Sequence, residues 1–162
     1  MEMISSDRDS AVASFRALLR VALRLKRQLQ PVLAAQDLTG AQFGTLMRIP
    51  DEGIPLTKLA AAAWSDPGNA SGVVDRLERS GLVTREADLQ DRRVVVVRLT
   101  EAGKERLQAA WRPYSARVNE LLGGLSAVQH RSLRRLLHAI DPEPGTPPPS
   151  SAPQAVEEPA NV

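Results

Sequence analysis

Residues 82–99 limit the possible folds of this chain more than any others. Two β-favouring runs, LVTREA and VVVVRL, are separated only by the six-residue loop Asp88 to Arg93, so they pair as a hairpin within a chain otherwise patterned for helix. Alternation along the second run predicts Val95, Val97 and Leu99 toward the core and Val94, Val96 and Arg98 away from it. The pair Arg92-Arg93 then sits at the tip, where the loop turns back. Thr100, directly after the hairpin, is a good cap for a following helix.

The rest of the body reads as helix. From Ser10 to Gln30, Phe15, Leu18, Ala22, Leu25 and Leu29 recur in steps of three and four, with Leu19 widening the stripe. Pro31 lacks a backbone donor and should end or kink that helix near Gln30. Thr39 and Gln42 form a capping box ahead of the apolar face Phe43, Leu46 and Met47, and Asp51, Gly53 and Pro55 make a turn. Thr57 opens a short helical piece, KLAAAAW, whose Trp64 most simply packs the turn that follows. Asp66 before Pro67 is a cap with proline at the first helical position, Ala70, Val73, Val74 and Leu77 give the next helix a buried side, and Ser80-Gly81 closes it. Beyond Thr100, Leu107, Trp111, Tyr114, Val118 and Leu121 continue the helical spacing, with a kink expected at Pro113. A last stripe, Leu133, Leu136, Leu137 and Ile140, follows the capping pair Ser126 and Gln129.

Two short helices joined by a tight turn and followed at once by a hairpin make a winged helix-turn-helix. In spacing as well as order, VVDRLERSGLVTRE, DLQDRRVVVVRLTEAG, LTGAQFGTLMRI and LSAVQHRSLRRLL resemble the MarR family of bacterial transcription regulators, over roughly residues 10–140. The fold expected is mainly α with a small β-hairpin wing. Residues 1–9 form a flexible N-terminus, 10–36 and 101–140 the dimerisation helices, 37–100 the winged helix-turn-helix domain and 141–162 a disordered tail. The resemblance implies that Arg92 or Arg93 enters the minor groove, where phosphates of both strands crowd. It also implies that Asp88 or Asp91 pairs with one of these arginines to shape the loop. In the recognition helix the exposed candidates are Gly68, Asn69, Ser71, Gly72 and Arg76: Asn69 suits adenine, Ser71 a base or phosphate, and Arg76 the backbone. Gly72 departs from the family, many of whose members carry a polar side chain there. Residues 66–80 set Arg76 and Arg79 against Asp66, Asp75 and Glu78, so this helix supplies little attraction of its own and the wing carries more of it.

Composition agrees with this reading. All 21 lysines and arginines and 15 of the 19 acids lie in residues 1–140, which makes a basic body suited to a polyanion. The tail holds seven of the 12 prolines, the remaining acids and almost nothing to bury. With no cysteine in the chain, thiolate metal sites, cysteine nucleophiles and disulfides are excluded. There is no phosphate-binding glycine loop and no nucleophile beside a base, so no enzyme is expected. No metal or cofactor is expected either, since His130 and His138 lack an obvious third ligand. Without a signal peptide or an apolar run of spanning length, the chain is expected in the cytoplasm with no membrane partner. Its expected partners are double-stranded DNA and a second copy of itself, placing two recognition helices on an inverted repeat. A small aromatic or anionic effector is expected as well, for which Trp111 and Tyr114 are candidate pocket residues. By resemblance the regulator is more often a repressor than an activator. The alternative is a ligand-binding or protein-interaction member of the same fold with weakened DNA recognition.

Overall fold

The computed structural model describes the backbone of residues 3–61, 67–88 and 90–141, and the side chains of 10–60, 71–88 and 90–141. The chain divides into two compact units, Met1–Leu121 and Leu122–Val162. Trp64, Asp66 and the tail from 142 onward lie outside the described residues.

In the first unit, α1 (Met3–Ala34) begins ahead of the expected Ser10, so residues 3–9 are helical backbone rather than a flexible lead-in. It also continues through Pro31 for a further turn instead of ending at Gln30. Its true stop is chemical. Asp37 takes the left-handed conformation (φ 54°), and the amides of Asp37 and Leu38 fold back onto the carbonyls of Ala34 and Leu33. The reversal buries Leu33 and Leu38 together in the core. Thr39 and Gln42 form the expected capping box at the start of α2 (Gly40–Leu46), whose Phe43 and Leu46 are buried.

The sheet has three strands, one more than the hairpin predicts. β1 (Ile54–Pro55) pairs antiparallel with β3 (Val95–Leu99), which pairs on its other side with β2 (Val83–Ala87). Pro55 is tolerated because β1 is an edge strand. This strand overturns part of the expected facing of β3: Val96, predicted outward, is 6% exposed, whereas Val95, predicted inward, is 39% exposed. The covering piece is the turn at Gly53. That residue has a positive φ, and a Cβ on it would lie 2.8 Å from both Val96 and Arg98 side chains, so the turn seals the face that alternation assigns to solvent. Val95 pairs with Ala87 beside the loop and lies past the end of the core cluster.

Two short helices complete the domain. α3 (Leu56–Ala61) starts one residue before Thr57, and α4 (Pro67–Arg79) starts at the proline as expected, with Val73, Val74 and Leu77 buried. Gly81 (φ 70°) then reverses the chain, with its amide on the Glu78 carbonyl and that of Leu82 on the Leu77 carbonyl. α5 (Glu101–Leu122) runs without interruption through Pro113. Its entry is tightly built. The Thr100 hydroxyl donates to the Gly81 carbonyl at 2.7 Å and accepts the Gly103 amide at 2.9 Å, while the Thr100 amide donates to Leu82. Arg106 on α5 donates to the Gln36 carbonyl at 2.9 Å, covering the spent C-terminal end of α1.

In the second unit, α6 (Ala127–Ile140) starts at Ser126 with a capping box to Gln129 and buries none of its own residues. Its Leu133, Leu136, Leu137 and Ile140 are all exposed.

Gly103 supplies a stability test. A Cβ there would fall 2.0 Å from the Leu82 carbonyl oxygen, a backbone atom that cannot step aside. Gly103→Ala is expected to destabilise the domain by about 3 kcal/mol, the upper part of the overpacking range. Gly40→Ala, in open space, should be neutral or gain up to about 1 kcal/mol. Urea denaturation of the two variants checks this, and equal midpoints would contradict it.

Candidate nucleic-acid interface

α4 presents a buried side to the core and an exposed side carrying Ser71, Asp75, Arg76, Glu78 and Arg79. Gly72, between Ser71 and the buried Val73, is half-buried. Gly68 and Asn69 occupy the first turn of α4, but the Asn69 side chain lies outside the described residues. Arg76 makes no ion pair among the described residues, whereas Arg79 donates to its own helix at the Asp75 carbonyl, 3.3 Å away.

The wing is built by backbone capping. The Asp88 amide donates to the Val94 carbonyl at 2.9 Å, closing the loop one step beyond the Ala87–Val95 pair. Asp88 Oδ1 then accepts the amides of Gln90 (2.8 Å) and Asp91 (3.0 Å), and Asp91 Oδ1 accepts the amide of Arg93 (3.0 Å). Both aspartates therefore shape the wing, but through main-chain amides and not through the arginine side chains as expected. A short carboxylate satisfies neighbouring amides at little entropic cost, whereas a long exposed ion pair would have to immobilise the guanidinium. Arg92 and Arg93 are left exposed, with no ion-pair partner among the described residues. The two amides also hold the Asp88 carboxyl below the usual carboxylate range, the Asp91 amide first and the Gln90 amide second.

One residue of this surface escapes the sequence reading. Arg85 on β2 reaches α4, with its Nη2 2.5 Å from Asp75 and its Nη1 2.7 Å from Glu78. A weaker contact joins it to the Ser71 carbonyl at 3.5 Å. A signal for it exists in the sequence: Arg85 lies two residues from the buried Val83, on the same face of β2, so it must point toward packed helix and needs acids there.

The candidate effector residues Trp111 and Tyr114 stand with ring centroids 6.2 Å apart, but only Trp111 lines a cleft. Trp111 lines a cleft of about 560 Å³ together with Met47, Ile49, Asp51, Lys104 and Gln108. Tyr114 packs on Phe43 with ring centroids 4.7 Å apart and joins the core instead.

Residues 38–95 match the MarR family model. A helix-turn-helix transcriptional regulator of Bacillus subtilis, YhbI, is 32% identical over 116 residues, which cover 71% of this chain and 75% of the relative. Among solved structures, an Escherichia coli MarR variant complexed with operator DNA superposes with a TM-score of 0.73 at 28% identity, covering 83% of this chain and 97% of that one. CouR of Rhodococcus jostii, bound to p-coumaroyl-CoA, gives 0.72 at 27% identity, covering 78% and 91%.

The chain belongs to the MarR family.

As a MarR-family protein it is a DNA-binding transcriptional regulator and not an enzyme. The exposed faces of α4 and of the wing are its candidate DNA surface. Among the described residues no helix is long and apolar enough to cross a membrane.

The wing of this MarR-family chain gives a pH prediction. Because the folded-state pKa of Asp88 is depressed, its ordering of the loop is complete above the usual carboxylate range and is lost as pH falls through the depressed value. The amide resonances of Gln90 and Asp91 should titrate together at that lowered pH, and in Asp88→Ala should already sit at random-coil positions at neutral pH. Amide shifts that ignore both the pH and the substitution would refute this.

Proposed function

We propose that this MarR-family regulator acts as a homodimeric repressor that binds an inverted-repeat operator and is released by a small-molecule effector. The observation that carries the proposal is the wing tip. Two adjacent arginines free of ion pairs among the described residues stand on a loop templated by Asp88 and Asp91, so neither charge has to be withdrawn from a partner before it meets phosphate. Neutralising phosphates releases condensed counterions, which makes this contribution measurable as a salt dependence.

Dimerisation is supported by apolar surface left open on a single chain. On α1, Phe15 is 63% exposed and Val12 55%, and on α6 Ile140 is 72% exposed and Leu136 60%. Apolar stripes this long suit a second copy, and two-fold symmetry would then set the half-site centres about 34 Å apart. The cleft at Trp111 is the candidate effector site, and the neighbour crystallised with p-coumaroyl-CoA supports a ligand carrying an aromatic ring. The alternative of weakened DNA recognition is motivated by Gly68 and Gly72 and by the net charge of −1 on residues 66–80. Counting Arg85 removes the second motive.

Binding to the duplex that the protein enriches from a random pool tests the DNA reading. Arg92→Ala and Arg93→Ala should weaken binding and lower the magnitude of the slope of log affinity against log salt by about 0.9 for each phosphate no longer neutralised. Unchanged slope and affinity would overturn the wing assignment, and no enriched inverted repeat would favour the alternative. For the dimer, Phe15→Glu is expected to shift the sedimenting species from two chains toward one, and an unchanged species would count against α1 as an interface.

A further inference from the structure

Arg85 is unlike the arginines of the wing tip because its charge is turned inward. Its side chain is 24% exposed, and its Nε is buried without a hydrogen-bond partner, so the working contacts are all made by the two terminal nitrogens. Those nitrogens meet Asp75 and Glu78, and with Ser71 these residues stand at spacings of four and three along one stripe of α4. Ser71 is a candidate DNA contact, so the two acids border the surface that would approach the phosphates. Burial works against the Arg85 charge, but the hydrogen bonds and charges of Asp75 and Glu78 outweigh it and hold its pKa above the ordinary arginine value.

We propose that Arg85 is a positioning residue for DNA binding: from the wing strand it masks the Asp75 and Glu78 carboxylates of α4, so that the helix can approach phosphate without net repulsion. The inference rests on α4 being the DNA-reading helix. Without Arg85, two unpaired carboxylates would border the surface that approaches the phosphates, and charge is felt over about 10 Å at 0.1 M salt. With Arg85 present, its cluster with Asp75 and Glu78 retains a single negative charge, which Arg76 and Arg79 on the same helix offset. The same contacts tie β2 to α4.

The masking role separates from a merely structural bridge by suppression. Binding to the duplex enriched by the wild-type protein is measured by fluorescence anisotropy at several salt concentrations for Arg85→Gln, for Asp75→Asn with Glu78→Gln, and for the triple variant. Circular dichroism and thermal unfolding serve as fold controls. Arg85→Gln should bind at least tenfold more weakly at low salt, with a shallower salt dependence. The triple variant, which lacks both the bridge and the acids, should recover to within about threefold of wild type. The acid-free double variant should bind at least as tightly as wild type, and this arm decides the matter even where Arg85→Gln fails to fold. Wild-type affinity in Arg85→Gln overturns the inference, and so does a folded triple variant as weak as Arg85→Gln or a double variant that loses affinity. If the wild-type protein enriches no duplex, the DNA-reading function falls and the inference with it, an outcome distinct from the other three.

Discussion

The carbonyl groups of Gly81 and Leu82 are the point on which the winged domain turns. At Gly81 the chain leaves α4 by a left-handed reversal that only glycine adopts without strain, and its carbonyl is taken by the Thr100 hydroxyl. At Leu82 the carbonyl accepts the Thr100 amide and lies against Gly103, so close that no side chain could stand there. α4, the two wing strands β2 and β3 and the long helix α5 therefore meet at two successive peptide groups. Each of the four is short of stability alone, and each is oriented by this shared junction. A change at α5 entry would be felt directly at the end of α4.

Electrostatics divides the cations of this domain into two kinds of work. Arg85, Arg98 and Arg106 spend their charge inside the protein, on α4 acids, on Glu86 and on the C-terminal end of α1. Arg92 and Arg93 spend theirs on nothing within the described chain. The difference follows from where each stands along the hairpin. Near the Val83–Leu99 pair a side chain on the helix-facing side finds packed neighbours, whereas beyond the Ala87–Val95 pair the loop has left the core and its backbone is satisfied by its own aspartates. The loop's shape thus does not depend on the arginines, which is what lets them be presented to a ligand as free cations.

The apolar stripes of α1 and α6 follow a different logic. Helix α1 buries residues such as Leu33 near its C-terminal end, while Phe15 and Leu18 upstream remain in the open. In the homodimer proposed above, a second copy would cover this apolar face. Under that proposal the pattern of the outer helices serves assembly, whereas that of the central domain serves folding.

Much of this was legible in the amino acids alone, because local chemistry acts over a few residues. Thr39 with Gln42 and Ser126 with Gln129 dictate where helices begin, Gly81 where one ends, and β-branched runs on either side of a short polar loop dictate a hairpin with Arg92 and Arg93 at its tip. What lay beyond such local rules needed the fold. The third strand at Ile54–Pro55 and the Gly53 turn that buries Val96 come from far along the chain. So do the seat of Tyr114 on Phe43 and the reach of Arg85 to Asp75 and Glu78. Proline offers the same lesson from the other side: Pro31 and Pro113 each remove one helical hydrogen bond, but the helix around them is held by neighbouring contacts and continues. Read alone, the amino acids marked the two capping boxes, the Gly81 stop, the hairpin and the charges at its tip, since caps and turns act within a few residues. The strand β1, the covered face of each strand and the pairing of charges came with the fold, since burial and ion pairing depend on residues that meet only once the chain has folded.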